Sequence, residues 1–479
     1  MTITTILTIA LALIQVLGIA SAIDAVMHAR TPQGSTAWAV ALVTLPVVTL
    51  PFYWVFGRSS FDDYVEAVRQ FDERLNAALE DAEEAMAAWR PDVSALDETT
   101  QSELRGFASL SRIPFTRGNS LRLLVDGDAT FSAILAAIDE AERYVLAQFY
   151  IVHDDDLGRD FQQHLIAAAQ RGVSVRFTFD GVGSHKLPRR FVRELRDAGV
   201  EVHEFSGERG WIGRFRVNFR NHRKIVVVDG RQAFVGGHNV GDEYLGLDET
   251  LTPWRDTHLA VEGPVVQGLQ LSFARDWFYG KSEVPDGLVW DLEASDHDQH
   301  AIVIASGPAD EFETAGLLYT QAIAAATERV WIASPYVIPD GGVLAALQSA
   351  ALRGVDVRVV MPRMVDSWYF KYAPYAYLPD IDAAGGKVYL FEDGFLHQKV
   401  ILVDDAYAGV GTANFDNRSF RLNFEVTLLA HDAAFAAEVA TMLDADLARS
   451  TRLTAEELAN QSFAFRLATQ GTRLLAPIL

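Results

Sequence analysis

The sequence predicts an α/β fold in which two pseudo-symmetric units follow an N-terminal transmembrane helical hairpin. The 479-residue chain has 49% hydrophobic and 22% charged residues, a globular composition in a chain too long for one domain. Two long uncharged runs open the sequence, and the remainder repeats its own pattern. We therefore divide the chain into a membrane anchor at 1–58, a connecting helical segment at 59–118, a first α/β domain at 119–296 and a second at 297–479.

Composition excludes several kinds of site. The chain has no cysteine, which rules out disulfide scaffolds, thiolate zinc sites, iron–sulfur clusters and cysteine nucleophiles. Its 64 acidic residues outnumber its 41 basic ones, so the formal net charge is −23. Proteins that coat nucleic acid present a broad basic surface, and this charge balance disfavours nucleic acid as a partner.

The first 57 residues contain two apolar runs that are each long enough to cross a bilayer. Residues 1–23 and 31–57 carry no charged side chain, and about 20 helical residues span the hydrocarbon core. Trp38 lies near one end of the second run, where amphipathic rings favour the headgroup level. Pro46 and Pro51 are expected to kink the second helix.

A cleavable signal peptide is the alternative, because the small residues at 20–22 resemble a cleavage site. However, no Lys or Arg precedes the first run, and a secreted enzyme would not need the second run. We expect a multi-pass anchor. Arg58, Arg69 and Arg74 follow the second run, whereas the short loop holds Arg30, so the positive-inside rule places the α/β units in the cytoplasm.

A connecting helix is predicted between the anchor and the first α/β unit. From 60 to 89, apolar residues recur at helical spacing, with acidic residues on the other face. Pro91 ends this pattern because proline cannot continue a helix, and the first strand-like segment begins near residue 119.

The rest of the chain contains an internal repeat. Residues 142–146 (ERYVL) return as 328–332 (ERVWI), and 171–176 (RGVSVR) return as 353–358 (RGVDVR). In each half, amphipathic helices alternate with short apolar strands, as in β-α-β units. The repeat therefore predicts two α/β halves.

Each half also contains the same spaced trio, His-x-Lys-x4-Asp. The six residues are His222, Lys224, Asp229, His397, Lys399 and Asp404. In both copies an apolar run typical of a buried strand separates Lys from Asp. Residues two apart on a strand face the same side, so each His and Lys should point toward one pocket. The two aspartates end their strands, and we expect them to be structural turn or ion-pair residues rather than proton carriers.

Two copies of this trio suit a phosphodiester substrate. The phosphorus centre gains negative charge on its oxygens during attack, and ammonium and carboxamide groups can stabilise that charge without a metal. The phosphate-binding candidates are Lys224, Asn239, Lys399 and Asn414. One imidazole can form a phosphohistidine while the other protonates the departing alcohol.

Each imidazole also needs a carboxylate that holds its tautomer and orientation. Asp256 follows His222 by 34 residues, and Glu425 follows His397 by 28 residues. Their matching places after the two trios make these carboxylates the histidine-orienting candidates.

The duplicated His-x-Lys-x4-Asp pattern resembles the phospholipase D superfamily. Further segments are similar to bacterial cardiolipin synthases in particular, and the resemblance covers essentially the whole chain. These segments are 241–246 (GDEYLG), 254–258 (WRDTH), 414–420 (NFDNRSF) and 476–479 (APIL), together with the paired N-terminal runs.

The resemblance implies a transphosphatidylase of a bacterial inner membrane. Such an enzyme passes the phosphatidyl group of one phosphatidylglycerol to another, which releases glycerol and forms cardiolipin. No metal and no organic cofactor are implied. His222 is then the expected nucleophile and His397 the expected acid, although the two roles can be exchanged.

The two halves differ in the segment before the histidine. The first half has 16 residues there, at 206–221, and the second has five, at 392–396. The insertion interleaves arginines with aromatic residues, a composition suited to an anionic headgroup at a membrane surface. Its arginines are Arg209, Arg214, Arg216 and Arg220. We expect this loop to guide phosphatidylglycerol into the site, and a solvated surface loop is the alternative.

Three other functions remain open at this point. A lipid hydrolase releasing phosphatidic acid differs only in whether water reaches the phosphohistidine. A nuclease would share the trio, but the anchor, the acidic charge and the arginine-rich insertion favour lipid. A catalytically silent lipid-binding scaffold would keep the fold, but all six motif residues are present. The oligomeric state does not follow from the sequence.

Overall fold

The N-terminal segment folds into three helices. The computed structural model describes residues 2–28, 32–57, 62–205, 219–290 and 292–476. The first helices are α1 (Ile3–His28), α2 (Pro32–Thr44) and α3 (Pro46–Phe56). Within these described ranges, α1 is the one helix whose length and apolar composition suffice to cross a membrane. A second crossing by α2 and α3 stays a prediction.

The second apolar run is divided into two helices rather than kinked. α2 ends at Thr44, and α3 begins with Pro46, which suits a first helical turn because its missing N–H has no partner there. Leu45 between them leaves the helical region at φ −135° and ψ 53°. Pro51 lies inside α3 without ending it.

The helices of the anchor pack as a hairpin. Gln15 Nε2 on α1 donates a hydrogen bond to the Val43 carbonyl oxygen on α2 at 2.9 Å. A Cβ added to Gly18 would lie 2.5 Å from the Leu42 carbonyl oxygen, so α1 and α2 approach closely there.

Two connecting helices join the anchor to the α/β units. They are α4 (Asp62–Ala87) and α5 (Glu98–Ala108). The Phe71 ring of α4 packs edge-on against Phe278 at 5.6 Å between centroids, and the Tyr64 ring lies 4.5 Å from that of Phe424. The connecting helix is thereby attached to both halves of the molecule.

The first half alternates strands and helices as predicted. Its elements are β1 (Thr116–Val125), α6 (Asp126–Glu140), β2 (Tyr144–Phe149), α7 (Asp156–Gln170), β3 (Ser174–Asp180), α8 (Arg189–Asp197), β4 (Glu201–Phe205), β5 (Arg220–Asn221), β6 (Ile225–Val228), β7 (Gln232–Gly236), β8 (Trp254–Arg255), β9 (Thr257–Glu262) and α9 (Val266–Lys281). A 3₁₀ turn at Asp242–Leu245 precedes β8.

The second half repeats this succession and adds three C-terminal elements. Its elements are β10 (Gln299–Ser306), α10 (Thr314–Ala325), β11 (Arg329–Ala333), β12 (Val337–Ile338), α11 (Gly341–Leu352), β13 (Asp356–Pro362), α12 (Leu378–Ala383), β14 (Lys387–Phe391), β15 (Phe395–Leu396), β16 (Val400–Val403), β17 (Tyr407–Gly411), β18 (Phe415–Asp416), α13 (Asn417–Arg421), β19 (Asn423–His431), α14 (Ala433–Ala448), β20 (Ser450–Leu453), α15 (Ala455–Ala459) and α16 (Phe463–Arg473). A 3₁₀ turn at Ala373–Ala376 precedes α12.

One continuous sheet of 16 strands joins the two halves. From its centre the strand order is β1-β9-β7-β6-β2-β3-β4 in one direction and β10-β19-β17-β16-β11-β13-β14-β20 in the other, and the sixteenth strand, β5, pairs with β19 outside this order. β1 pairs antiparallel with β10 at the seam. The matching orders confirm the two repeated α/β units and show that they share a sheet.

Alternate residues of the buried strands supply two apolar layers. Ile225 and Val227 of β6 pack in a cluster with α9 and α14, and this cluster includes residues of both halves. Val226 and Val228 pack on the other face with α6, α7 and α8. Burial on both faces explains the unbroken apolar runs that follow the motif lysines.

Candidate active site

Both motif histidines lie at the seam, at the ends of short strands that pair with the opposite half. β5 runs parallel to the start of β19, and β15 runs parallel to β8. The His222 N–H donates to the Phe424 carbonyl oxygen at 2.9 Å, and the His397 N–H donates to the Arg255 carbonyl oxygen at 2.7 Å. The backbone of each half therefore fixes the histidine of the other.

The histidine-orienting carboxylates are exchanged between the halves. His222 Nδ1 lies 2.9 Å from Glu425 Oε2, and His397 Nδ1 lies 2.7 Å from Asp256 Oδ2. Sequence order alone places Asp256 with His222 and Glu425 with His397. Because an ionised carboxylate can only accept, each Nδ1 carries the proton and each Nε2 keeps its lone pair.

The Glu425 carboxylate is fully buried and has three further donors. Thr412 Oγ1 donates to Oε2 at 2.6 Å, and Ser419 Oγ and Asn423 Nδ2 donate to Oε1 at 2.8 Å and 3.1 Å. Burial alone raises the pKa of Glu425, but the adjacent His222 and Lys224 and these donors outweigh it, so the net pKa is lowered. Glu425 is therefore charged at neutral pH.

Both imidazoles are neutral in the free enzyme. Burial, opposed by Glu425 and reinforced by Lys224 and Lys399, lowers the pKa of His222 to about 4. Burial, with Lys399 and Lys224, lowers the pKa of His397 to about 3. Each histidine is held by a carboxylate of the other half, so both trios lie at the seam. A neutral imidazole with a free Nε2 is the form that can attack phosphorus.

The motif lysines are buried beside their own histidines. Lys224 Nζ donates to the His222 carbonyl oxygen at 2.6 Å, and Lys399 Nζ donates to the His397 carbonyl oxygen. Burial lowers the pKa of Lys224, and burial, opposed by Asp256 and Glu425, lowers the pKa of Lys399 to about 8. Both groups have little other solvation, so an anionic substrate is a strong partner for them.

The two predicted phosphate-binding asparagines differ in their contacts. Asn239 Oδ1 accepts the Ile151 N–H at 3.0 Å, and its Nδ2 donates to the Tyr244 hydroxyl at 2.8 Å. Asn414 is buried, and within the described residues its Oδ1 has no hydrogen-bond partner. Because Oδ1 is an acceptor, it cannot bind phosphate, and Asn414 remains a phosphate-binding candidate through the N–H groups of its Nδ2 alone.

The motif aspartates hold strand ends and not the imidazoles. The Asp229 carboxylate accepts the N–H groups of Glu142, Arg143 and Tyr144 at 2.8–2.9 Å, where β2 begins. Asp404 does the same for the backbone at 327–329, where β11 begins. Both have left-handed backbone conformations, with φ of 54° and 51°. These contacts support the structural role that their sequence position predicts.

A buried arginine and aspartate, which we call the first Asp–Arg pair, support the His222 side of the site. Arg223 Nη1 donates to Asp276 Oδ1 on α9 at 2.7 Å, and Arg223 Nε donates to the Glu425 carbonyl oxygen at 3.1 Å. Tyr64 of the connecting helix donates its hydroxyl proton to the same Asp276 oxygen at 2.6 Å. This pair therefore holds the main chain of Glu425, the residue whose carboxylate orients His222.

A second Asp–Arg pair holds the main chain of Asp256, the residue whose carboxylate orients His397. Arg255 Nε donates to Asp446 Oδ1 on α14 at 2.7 Å, and Arg255 Nη1 donates to the Asp256 carbonyl oxygen at 3.1 Å. Gln398, between the motif histidine and lysine, donates to Asp446 Oδ2 at 2.8 Å. Sequence reasoning missed both aspartates because each lies within a helix far from the motifs, where no local pattern distinguishes it from an ordinary helix residue.

Two aromatic rings flank the imidazoles. The Tyr150 ring lies 4.9 Å from that of His222, and the Trp254 ring lies 5.0 Å from that of His397. Trp254 belongs to the segment 254–258 that the family resemblance singles out, and this was the available signal. Trp254 is buried and Tyr150 is half-buried, so both rings restrict the access of water to the imidazoles.

The predicted headgroup loop falls mostly on residues that are not described. Arg209, Arg214 and Arg216 lie outside the described ranges. Arg220 is described and buried, and burial, opposed by the Asp180 charge, lowers its pKa. Arg220 is therefore part of the wall beside His222 rather than of an exposed loop.

The segments that known protein families match agree with the division of the chain into an N-terminal anchor and two α/β halves. The family described as cardiolipin synthase, phospholipase D-like domain, matches residues 134–277 and 319–447. The family described as phospholipase D-nuclease N-terminal matches residues 16–58. The first family covers one segment in each half, as the internal repeat requires.

Solved structures share the fold at low sequence identity. A phosphatidylserine synthase of Haemophilus influenzae Rd KW20 aligns with a TM-score of 0.57 at 15% identity, covering 79% of this chain and 100% of its own. A polyphosphate kinase of Porphyromonas gingivalis aligns with a TM-score of 0.50 at 14% identity, covering 74% of this chain and 52% of its own.

Curated relatives match at much higher identity and over nearly the full length. Cardiolipin synthase A of Pseudomonas fluorescens strain Pf-5 is 49% identical over 473 residues, covering 98% of both chains. Cardiolipin synthase A of Pseudomonas putida strain GB-1 is 47% identical, again covering 98% of both chains. The chain therefore belongs to the cardiolipin synthase family with phospholipase D-like domains.

Proposed function

We propose that this chain is a cardiolipin synthase that uses two molecules of phosphatidylglycerol and releases glycerol. The observation that carries the proposal is the exchange of carboxylates between halves, which leaves two neutral imidazoles with free Nε2 atoms in one site. The name of the curated relatives supports the choice of product.

In the first half-reaction, His222 is the nucleophile. Its Nε2 attacks the phosphorus of a phosphatidylglycerol, a P–N bond forms, and the P–O bond to glycerol breaks. His397 gives its proton to the departing glycerol oxygen. Since His397 is neutral in the free enzyme, its Nε2 takes this proton from solvent water when the anionic phosphodiester binds and favours the imidazolium.

In the second half-reaction, a second phosphatidylglycerol supplies the nucleophile. His397, now neutral, accepts the proton of its glycerol hydroxyl group while that oxygen attacks the phosphohistidine. The P–N bond breaks, cardiolipin forms, and His222 is regenerated as the neutral imidazole. The roles of His222 and His397 are assigned by the family resemblance, and the geometry is equally compatible with the exchanged assignment.

Polar and charged groups in the same cleft stabilise the negative charge on the phosphoryl oxygens. The ammonium groups of Lys224 and Lys399 and the carboxamide of Asn414 are buried near the imidazoles, where a charge interaction is stronger than in water. Asn239 contacts Tyr244 and the segment that follows β2 and contains Tyr150 and Ile151, and its remaining Nδ2 proton is the one it offers to phosphate.

The proposed enzyme works on a bacterial inner membrane that it crosses twice, with its α/β units in the cytoplasm. The support is the apolar length of α1 and the packing of α1 on α2. The predicted membrane orientation rests on the arginines that follow the second apolar run compared with those in the short loop. Two of these arginines, Arg30 and Arg58, lie outside the described residues. Cysteine-accessibility labelling on the two sides of intact cells tests this topology.

The test of function is an assay of the full-length enzyme with labelled phosphatidylglycerol in the presence of chelator. Cardiolipin and glycerol should form in equal amounts, with little phosphatidic acid. Abundant phosphatidic acid without cardiolipin makes the chain a hydrolase. A His222→Ala variant that keeps full turnover removes His222 as the nucleophile, whereas loss of both products shows that His222 is required in either role. Detection of the phosphatidyl group bound covalently to His222 supports the nucleophile assignment.

A further inference from the structure

The outward face of α16 is apolar, which is the reverse of an ordinary surface helix. Phe463, Leu467 and Leu474 are 73%, 63% and 82% exposed. Phe463 and Leu467 are one turn apart on α16, and Leu474, which follows the last residue of the helix, lies two turns beyond Leu467, so the three residues form one stripe. The face toward the protein instead buries Thr469 and Thr472. Exposed apolar stripes of this kind mark interaction surfaces.

The charged residues of α16 have one sign. Arg466 and Arg473 are the charged residues of α16, and both are exposed. Exposed Lys371 lies in the neighbouring segment against which α16 packs. Because α16 has no acidic residue of its own, its two arginines fit an anionic partner.

α16 packs on a loop that leads to the catalytic cleft. The Phe465 ring lies 5.1 Å from that of Tyr372 and 5.0 Å from that of Tyr375. The same loop presents Trp368, which is 66% exposed, and its ring lies 5.9 Å from that of Tyr369.

The other end of this loop reaches the catalytic groups. The Phe370 ring of the loop stacks on that of Tyr336 at 3.6 Å between centroids. Tyr336 lies directly before β12, which pairs with β18, and β18 directly follows Asn414. The apolar stripe and the cleft are therefore connected by one short segment.

We propose that α16 and Trp368 form a second membrane-contact surface, which lies flat on an anionic phospholipid bilayer and brings the cleft to the lipid. The 11 residues of α16 are too few to cross the hydrocarbon core, so the helix lies in the interface plane. The combination of leucine and phenylalanine, arginine at the flanks and one exposed tryptophan matches interfacial helices. The docking does not depend on the reaction that the cleft performs.

Because the chain has no cysteine, single spin labels report on chosen positions without further changes. The full chain is reconstituted in vesicles of phosphatidylglycerol and phosphatidylethanolamine, with a nitroxide at Leu467→Cys. The matched control is Leu352→Cys, since Leu352 is 75% exposed at the end of α11. The label at 467 should be accessible to oxygen and shielded from a water-soluble nickel complex, and the label at 352 should show the opposite.

Two outcomes overturn the proposal. A label at 467 that is as accessible to the nickel complex as the label at 352 shows that the stripe faces water. A label at 467 that is shielded from both reagents and broadened by dipolar coupling shows that a second copy covers the stripe. Replacing phosphatidylglycerol with phosphatidylcholine should reduce the depth of the label, because the arginines lose their anionic partner.

A kinetic comparison gives a second readout. The Leu467→Glu variant should raise the apparent KM for vesicle lipid by about tenfold while keeping kcat at saturation, since it weakens contact with the bilayer and not the chemistry. Leu352→Glu should leave both constants unchanged. If neither variant nor the parent makes cardiolipin, the proposed reaction is wrong, whereas the spin-label result still decides the docking.

Discussion

The protonation state of the catalytic groups follows from burial and from partners that lie far away in sequence. The two contacts that orient the imidazoles join residues 203 and 141 positions apart. Each contact sets one tautomer, because the carboxylate can only accept a proton-bearing Nδ1.

Removal of one orienting carboxylate should therefore abolish most of the activity. For Glu425→Gln, kcat should fall by roughly 10³-fold, because the amide no longer stabilises an imidazolium or selects the Nδ1–H tautomer. Steady-state cardiolipin formation measures this, with exposed Glu438→Gln on α14 as the control. If Glu425→Gln loses no more activity than that control, the orienting role of Glu425 is wrong.

The pH profile should contain an alkaline limb set by Lys399. Only the ammonium form stabilises phosphoryl charge, and its pKa is about 8, so kcat/KM should fall as the pH rises through that value. On the acid side, His222 has a pKa of about 4 and stays neutral above it. Profiles of kcat/KM from pH 5 to 10 measure the limb.

The Lys399→Arg variant distinguishes this group from others. An arginine keeps its charge at every accessible pH, so any activity that remains should show the alkaline limb shifted upward or removed. The exposed Lys281→Arg variant should leave the limb in place. An alkaline limb that persists unchanged in Lys399→Arg belongs to another group.

At the scale of elements, two helices behind the sheet carry the aspartates that hold the site together. α9 supplies Asp276 and α14 supplies Asp446, and both side chains are fully buried against an arginine. Breaking a buried ion pair from one side leaves an uncompensated charge, which costs much more than breaking an exposed pair.

Stability measurements should separate these two kinds of ion pair. Asp276→Asn should lower the free energy of unfolding by roughly 3–5 kcal/mol, because Arg223 stays buried without its counter-charge. The half-exposed pair of Arg363 and Glu392 is the comparison, and Glu392→Gln should cost about 1 kcal/mol or less. Denaturant unfolding in detergent micelles measures both, and equal losses would contradict the distinction.

The arginine-rich insertion between β4 and β5 should act on substrate binding. Replacing Arg209, Arg214 and Arg216 with Gln should raise the KM for phosphatidylglycerol by about tenfold with little change in kcat, since three charges near an anionic headgroup are lost. Arg220 is left intact because it is buried beside the site. Unchanged kinetics in the triple variant would show that the insertion is an ordinary surface loop.

At the scale of the whole molecule, the two repeats form one functional unit. The central β1–β10 pair and the apolar cluster around α9 and α14 include residues of both halves. Within the described residues, each motif histidine contacts an orienting carboxylate of the other half, so the proposed site needs both halves.

A cut between the halves should therefore leave them associated. A protease site inserted at exposed Gly287, where a Cβ would meet nothing within 4 Å, allows cleavage after folding. The cleaved chain should elute as one complex and keep its activity within about twofold, because loop tips tolerate nicks. Separation of the two fragments in mild detergent would show that the linker, and not the shared sheet, holds the halves together.

The residues of the site were predictable from the sequence where a local pattern marks them. His222 and Lys224 stand out because they precede a buried strand, and the same spacing recurs at His397. The pairing of Asp256 was not predictable, because its position after His222 favours the wrong histidine. The break at Leu45 was also missed, since proline spacing alone does not distinguish a kinked helix from two helices.

By itself, the sequence determined the repeat, the strand-borne motifs, the apolar N-terminus and the family. These are local or periodic properties, and the backbone geometry of strands and helices makes them readable along the chain. The tertiary structure alone decided which carboxylate serves which imidazole, and that two buried aspartates support them. The reason is that the twofold arrangement of the halves exchanges their partners across the seam, and distance in space there is unrelated to distance in sequence.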